Sequence, residues 1–306
     1  MRIACLLLLT AVAACGDPAA EAFDAAPSLD AAPGAAVIAT VQVREYERLL
    51  GEAPDPFETQ RYATVTASFG DVALPSVRTV AQTAGACELT TYTPQLCDPA
   101  CGTDATCVPP GVCAPNPVPG SVGVITFGGL AAPLTVAPDP AGAYFVFEPL
   151  ADDLFADDTT VTLAAPGATY PAVALAAPGV APMVAAITDG EIELVPGQDH
   201  TVAWTPSNDP DARVRLELRS NNTGHGQPLH AIITCDAPDA AGQIAVPAAM
   251  IDAFPATERW AGIGCPQADC PASLISRYRD DRAAFADGVA RLEIASTYGF
   301  GVLHQP

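Results

Sequence analysis

The sequence predicts an all-β protein made of two β-sandwich domains. Three observations carry this. Short apolar runs alternate or are rich in β-branched residues. Clusters of Gly, Pro and Asp separate them. The runs follow one another closely, as in sandwiches, rather than alternating with helical patterns as in βαβ units.

The first run, 37–43, is rich in β-branched residues. In 61–69 the residues Ala63, Val65, Ala67 and Phe69 share one side, and Gly70-Asp71 signals a turn. Further strands are expected at 122–127, 143–147, 159–163 and 173–175. Between strands lies a cysteine-rich insert, 87–113, with Pro94, Pro99, Pro109 and Pro110 and few large apolar residues. It needs covalent staples, because it cannot make its own core. The first domain is therefore set at 37–180 and the second at 181–306.

In the second domain Val202 and Trp204 share a face. The segment 213–219 alternates strictly, with Val214, Leu216 and Leu218 inward and four charges outward. Strands follow at 231–235 and 243–246. Pro247 opens a short helix over 248–254, since proline suits a first helical turn. Strands at 291–295 and 299–303 close the domain.

The chain opens with Arg2 and an apolar run that ends in small residues, the layout of an export signal and too short to span a bilayer as a helix. The end of that run, Val12-Ala13-Ala14-Cys15, resembles the lipobox of bacterial lipoproteins. The resemblance implies a leader at 1–14, cleavage before Cys15, and acylation of Cys15 with palmitate-like chains. Two or three such chains hold a protein stably on a membrane. Residues 16–36 repeat Asp-Ala-Ala-Pro and lack the apolar bulk for a core, so 15–36 reads as an anchor and disordered tether. Extended, it reaches roughly 60 Å from the membrane. The expected localisation is the cell envelope, facing the periplasm or the cell exterior.

The 306 residues carry 35 acids against 13 basic residues, for a net charge of −22. That charge disfavours nucleic acid as a partner, and it leaves membrane attachment to the acyl chains. Every basic residue is arginine. A Walker-type loop, a Schiff-base enzyme and a Ser-Lys hydrolase each need a lysine, so all three are excluded.

With Cys5 and Cys15 set aside, the cysteines are Cys87, Cys97, Cys101, Cys107, Cys113, Cys235, Cys265 and Cys270. In an exported chain these read as disulfide candidates. Zinc is the competing chemistry, but Cys107 and Cys113 are too far apart to complete two close pairs. Both clusters hold an odd number, so complete pairing requires a bridge between them. The compact run resembles small growth-factor-like modules. That likeness implies Cys97–Cys107 and Cys101–Cys113, and leaves Cys87 to reach the second cluster.

The order of Trp204 strand, charged strand, Cys235 strand, 239–242 turn, short helix and final strands resembles immunoglobulin-like domains of lipoproteins from high-GC bacteria. The likeness covers roughly 185–304, with a fainter one over 37–178. It implies fold and no activity. Trp204 is not matched with the inter-sheet cysteine pair of antibody domains.

Few constellations suggest chemistry. His200, His225, His230 and His304 form no metal pair, and there is no Gly-x-Ser-x-Gly elbow. Paired acids occur at Asp152-Asp153, Asp157-Asp158 and Asp280-Asp281. The 207–211 segment offers calcium ligands at Asn208, Asp209 and Asp211, while the same side chains in an Asx-rich turn cap their own backbone. Trp260 suits either stacking on a sugar or packing. Two functions remain. One is a non-enzymatic binding or structural module whose partner is an envelope protein or glycan. The other is a secreted hydrolase acting on polysaccharide or peptide.

Overall fold

The computed structural model describes residues 35–50, 58–146, 148–220, 230–257 and 273–306. The leader, Cys15 and most of the tether lie outside them, as do His225, Trp260, Cys265 and Cys270.

The fold is an all-β sandwich. Its first strands are β1 (Val37–Leu50), β2 (Glu58–Phe69), β3 (Arg78–Ala84) and β4 (Cys87–Tyr92). The cysteine-rich insert ends in a ribbon of β5 (Ala105–Val108) and β6 (Val112–Pro115). Next come β7 (Ile125–Gly128), β8 (Leu134–Val136), β9 (Thr160–Ala165) and β10 (Val173–Pro178). The remaining strands are β11 (Glu191–Leu194), β12 (His200–Ala203), β13 (Arg213–Arg219), β14 (Ala231–Pro238), β15 (Gln243–Val246), β16 (Ser273–Phe285) and β17 (Gly288–His304). One short helix, α1 (Ala248–Asp252), follows Pro247.

One sheet forms a floor in the order β2-β1-β17-β16-β13-β14-β4-β3. Strand β17 pairs in parallel with β1 along residues 289–299, and β11 takes over the same edge along 301–304. The sheet is therefore mixed, unlike the antiparallel sheets of immunoglobulin domains.

Two roofs cover the floor. The sheet β10-β9-β7-β8 encloses one core with Val41, Val43, Val65, Phe285, Leu292 and Ile294 from the floor. The β12–β15 ribbon and the α1 segment enclose a second core with Leu89, Val214, Leu216, Ile233, Ile275 and Phe300. Each core is apolar because strand side chains alternate between faces.

The expected boundary at 180/181 separates the roofs and not the floor. Strands β3 and β4 come from the first half, but β4 pairs with β14 and β3 with β4, and both serve the second core. The β16–β17 hairpin comes from the second half but lends Phe285, Leu292 and Ile294 to the first core. The two cores share one continuous sheet.

Other expectations also change. The strand expected at 143–147 is reduced to a bridge between Tyr144 and Ala67. The two closing strands, 291–295 and 299–303, are one continuous β17. Strand β16 has no simple apolar alternation, because charged residues occupy both of its faces.

Candidate functional site

The face of the floor turned away from both cores carries most of its charge. On β17 the even-numbered Leu292 and Ile294 enter a core, so Arg291 and Glu293 point away from it. The same alternation puts Arg44 of β1, Tyr278, Asp280 and Arg282 of β16, and Arg213 and Arg215 of β13 on this outer face. Glu293, only 1% exposed, accepts hydrogen bonds from Arg44 at 2.6 Å, Arg291 at 2.6 Å and Arg215 at 3.1 Å. Arg291 also bonds Asp280 at 2.7 Å, and Arg282 bonds the same carboxylate at 2.9 Å. Asp236 holds Arg213 and accepts the Tyr278 hydroxyl at 2.6 Å. The Arg215 guanidinium lies 4.2 Å from the Tyr278 ring centroid, a cation–π distance.

The electrostatics follow from this packing. Burial alone would raise the Glu293 carboxyl, but Arg215, Arg44 and Arg291 bring it below its ordinary value. Asp280 behaves likewise: burial opposes ionisation, and Arg291 and Arg282 outweigh it. Among the described residues the network joins five guanidiniums to three carboxylates, an excess of two positive charges.

On the opposite face, at the junction of the two roofs, β16 turns Arg277 inward. Its Nε donates to Asp239 at 3.0 Å. Its other nitrogens donate to the carbonyls of Ala181, Pro182 and Thr205 at 3.1, 2.6 and 2.5 Å. Asp239 also accepts the backbone N–H and hydroxyl of Ser207 at 2.6 and 2.7 Å. Trp204 is buried as the alternation predicts, and its indole N–H donates to the Asp239 carbonyl at 2.9 Å. This clamp joins the inter-roof linker, the Ser207 loop and the floor.

The suggested calcium ligands Asn208, Asp209 and Asp211 lie beside the clamp. Arg279 bonds Asp209 at 2.8 Å and approaches Asp211 at 3.3 Å. Asp209 also accepts the backbone N–H of Asp211 at 3.0 Å, an Asx-turn bond. The cationic partner of these carboxylates is thus a guanidinium.

Two grooves meet at this junction, both lined by Asp157 and Val180. One, of about 340 Å³, includes Asp158, Ser207, Asn208 and Asp209. The other, of about 590 Å³, includes Glu45, Asp153 and Phe155. Glu45 accepts the Phe155 N–H at 3.1 Å. Burial pushes its carboxyl above the ordinary value, and Asp153 adds to the rise.

Cysteines pair as Cys87–Cys235, Cys97–Cys107 and Cys101–Cys113. The Cys97, Cys101 and Cys113 sulfurs lie within 4.8 Å of one another. Each belongs to a disulfide, so none has a thiolate to offer a metal. Cys265 and Cys270 lie outside the described residues. Among the described histidines, none is hydrogen-bonded to a serine. His304 is buried, with Nδ1 3.1 Å from the Pro255 carbonyl. His200 is half-buried, which lowers its basicity, and His230 is exposed.

Comparison with family models, curated proteins and solved structures found no match to this chain. The outer-face network was missed from the sequence, because its members come from strands far apart in the chain. The run Arg277 to Arg282 was the available signal: five charges in six residues cannot all be solvated on a strand that lies within a sheet.

Proposed function

We propose that the chain is an exported lipoprotein, held at the cell envelope by acyl chains on Cys15, that acts as a non-enzymatic binding module. The observation that carries the binding role is the outer face of the floor, where a rigid polar network is left uncovered at its rim. Arg213 and Arg282 are 45% and 54% exposed there. The three disulfides support export, since such bonds persist in oxidising compartments. A sheet that spans both cores presents this face as one stiff surface, and rigid surfaces lose little conformational entropy on binding.

Mass spectrometry of the native protein tests the anchor. The expected mass is that of a chain beginning at Cys15 and bearing acyl chains. An unacylated mass removes membrane attachment from the proposal.

One observation favours a second reading, the hydrolase acting on polysaccharide or peptide. Glu45, its carboxyl raised by burial, shares a groove with Asp153 and Asp157, and glycoside hydrolysis uses two carboxyl groups across a cleft. Turnover of a polysaccharide or peptide substrate, lost in Glu45→Gln with the fold retained, would establish that reading. No turnover across such a panel leaves the binding role.

A further inference from the structure

The network on the outer face is positive in a molecule of net charge −22. The choice of arginine over lysine says nothing, because the chain has no lysine. The placement does carry information. Arg44, Arg215 and Arg291 share the single carboxylate of Glu293. Arg291 also bonds Asp280 and Arg215 approaches Asp236, yet each guanidinium has five N–H donors, more than these carboxylates can use. The three arginine side chains are 12%, 17% and 17% exposed and form the largely buried centre of the network. Arg213 and Arg282 form its more exposed rim.

We infer that this face binds an acidic patch of a partner protein, with partner carboxylates entering between Arg213, Arg215, Arg282 and Arg291. The inference rests on the binding-module reading above and names its partner. The chemistry is the bidentate match of guanidinium to carboxylate. Charge selects the class of partner. A uniform polyanion, such as a uronate glycan or a nucleic acid, is repelled along its whole length by the surrounding acids. A protein of mixed charge presents its acids at one place only. A second copy docked two-fold through the same face would set positive against positive, so the partner is a different surface.

Fluorescence anisotropy with a labelled aspartate peptide, in which two central aspartates are flanked by serines and arginines, tests this on the whole exported chain, with the peptide bearing asparagine in place of aspartate as control and polygalacturonate as competitor. The expected result is binding of the aspartate peptide alone, weakening as salt rises. The double charge reversal Arg213→Glu/Arg282→Glu, at the exposed rim, is expected to lower affinity about tenfold or more. Hydrogen exchange on the unmodified protein adds a reading independent of the variant's folding, with peptide-dependent protection expected in β13, β16 and β17. Equal binding of both peptides, no binding, protection elsewhere, or a charge reversal without effect overturns the inference. Tighter binding of polygalacturonate overturns the choice of a protein partner. None of these outcomes bears on acylation of Cys15, which is read separately by mass.

Discussion

Asp280 and Glu293 stand directly opposite each other on β16 and β17. Like charges opposed in this way destabilise a strand pair. Here Arg291 bonds both, at 2.7 Å and 2.6 Å, and turns a repulsive pair into part of a network. Glu293→Gln leaves Arg44, Arg215 and Arg291 without their shared countercharge. The expected loss is about 3–5 kcal/mol, measured by urea denaturation. Arg282→Gln removes a half-exposed partner and is expected to cost at most about 1 kcal/mol.

Acid should weaken the fold through the same pair. Asp280 and Glu293 both titrate below their ordinary values in the folded protein. A carboxyl depressed by folding contributes its stability fully above its unfolded value, near pH ~4, and loses it as pH falls toward its folded value. Stability of the native protein should therefore fall steeply below pH ~4. The curve for Asp280→Asn/Glu293→Gln should start lower and be flatter there.

The clamp at Asp239 makes a second demand. Its carboxylate is fully buried and serves Arg277 and Ser207 together. Asp239→Ala leaves the Arg277 guanidinium buried without a countercharge, with an expected loss of about 3–5 kcal/mol by denaturation. Trp204 loses no bond directly, since it uses the Asp239 backbone carbonyl. A change in its fluorescence in the folded variant would show that the loop has moved.

Calcium offers a sharp contrast. With Arg279 bonded to Asp209 and Asp211, millimolar calcium should leave the melting temperature of the native protein unchanged. Arg279→Ala frees both carboxylates beside Asn208. Calcium should then raise the melting temperature of that variant, as a ligand of the folded state does.

The Cys87–Cys235 bridge closes a separation of 148 residues and ties β4 to β14. Chain-entropy reasoning gives such a loop about 5 kcal/mol. Cys87→Ala/Cys235→Ala should lower stability on that scale. Cys97→Ala/Cys107→Ala closes a shorter span, of 10 residues, and should cost less.

Much of the local structure was legible. The alternation in 213–219 and 61–69 placed β13 and β2, and 243–246 coincides with β15. A half-buried strand must alternate, so the pattern is written in neighbouring residues. Strand β16 was invisible for the complementary reason. Its Arg277, Arg279 and Asp280 are satisfied by Asp239, Asp209 and Arg291 on other elements, so its own pattern lacks apolar alternation. Arg279, which bonds Asp209, lies 70 residues from it, so no short window of sequence pairs the two.

By itself the sequence determined the all-β class, the charge balance, the chemistries that need lysine, and the candidate anchor at Cys15. Those follow from composition and short-range order. The tertiary structure alone decided that one sheet underlies two cores, that Cys87 meets Cys235, and that five arginines and three carboxylates gather on one face. Strand pairing is non-local: which edge β1 or β4 joins depends on the register and burial of the whole sheet, and no short window of residues contains that information.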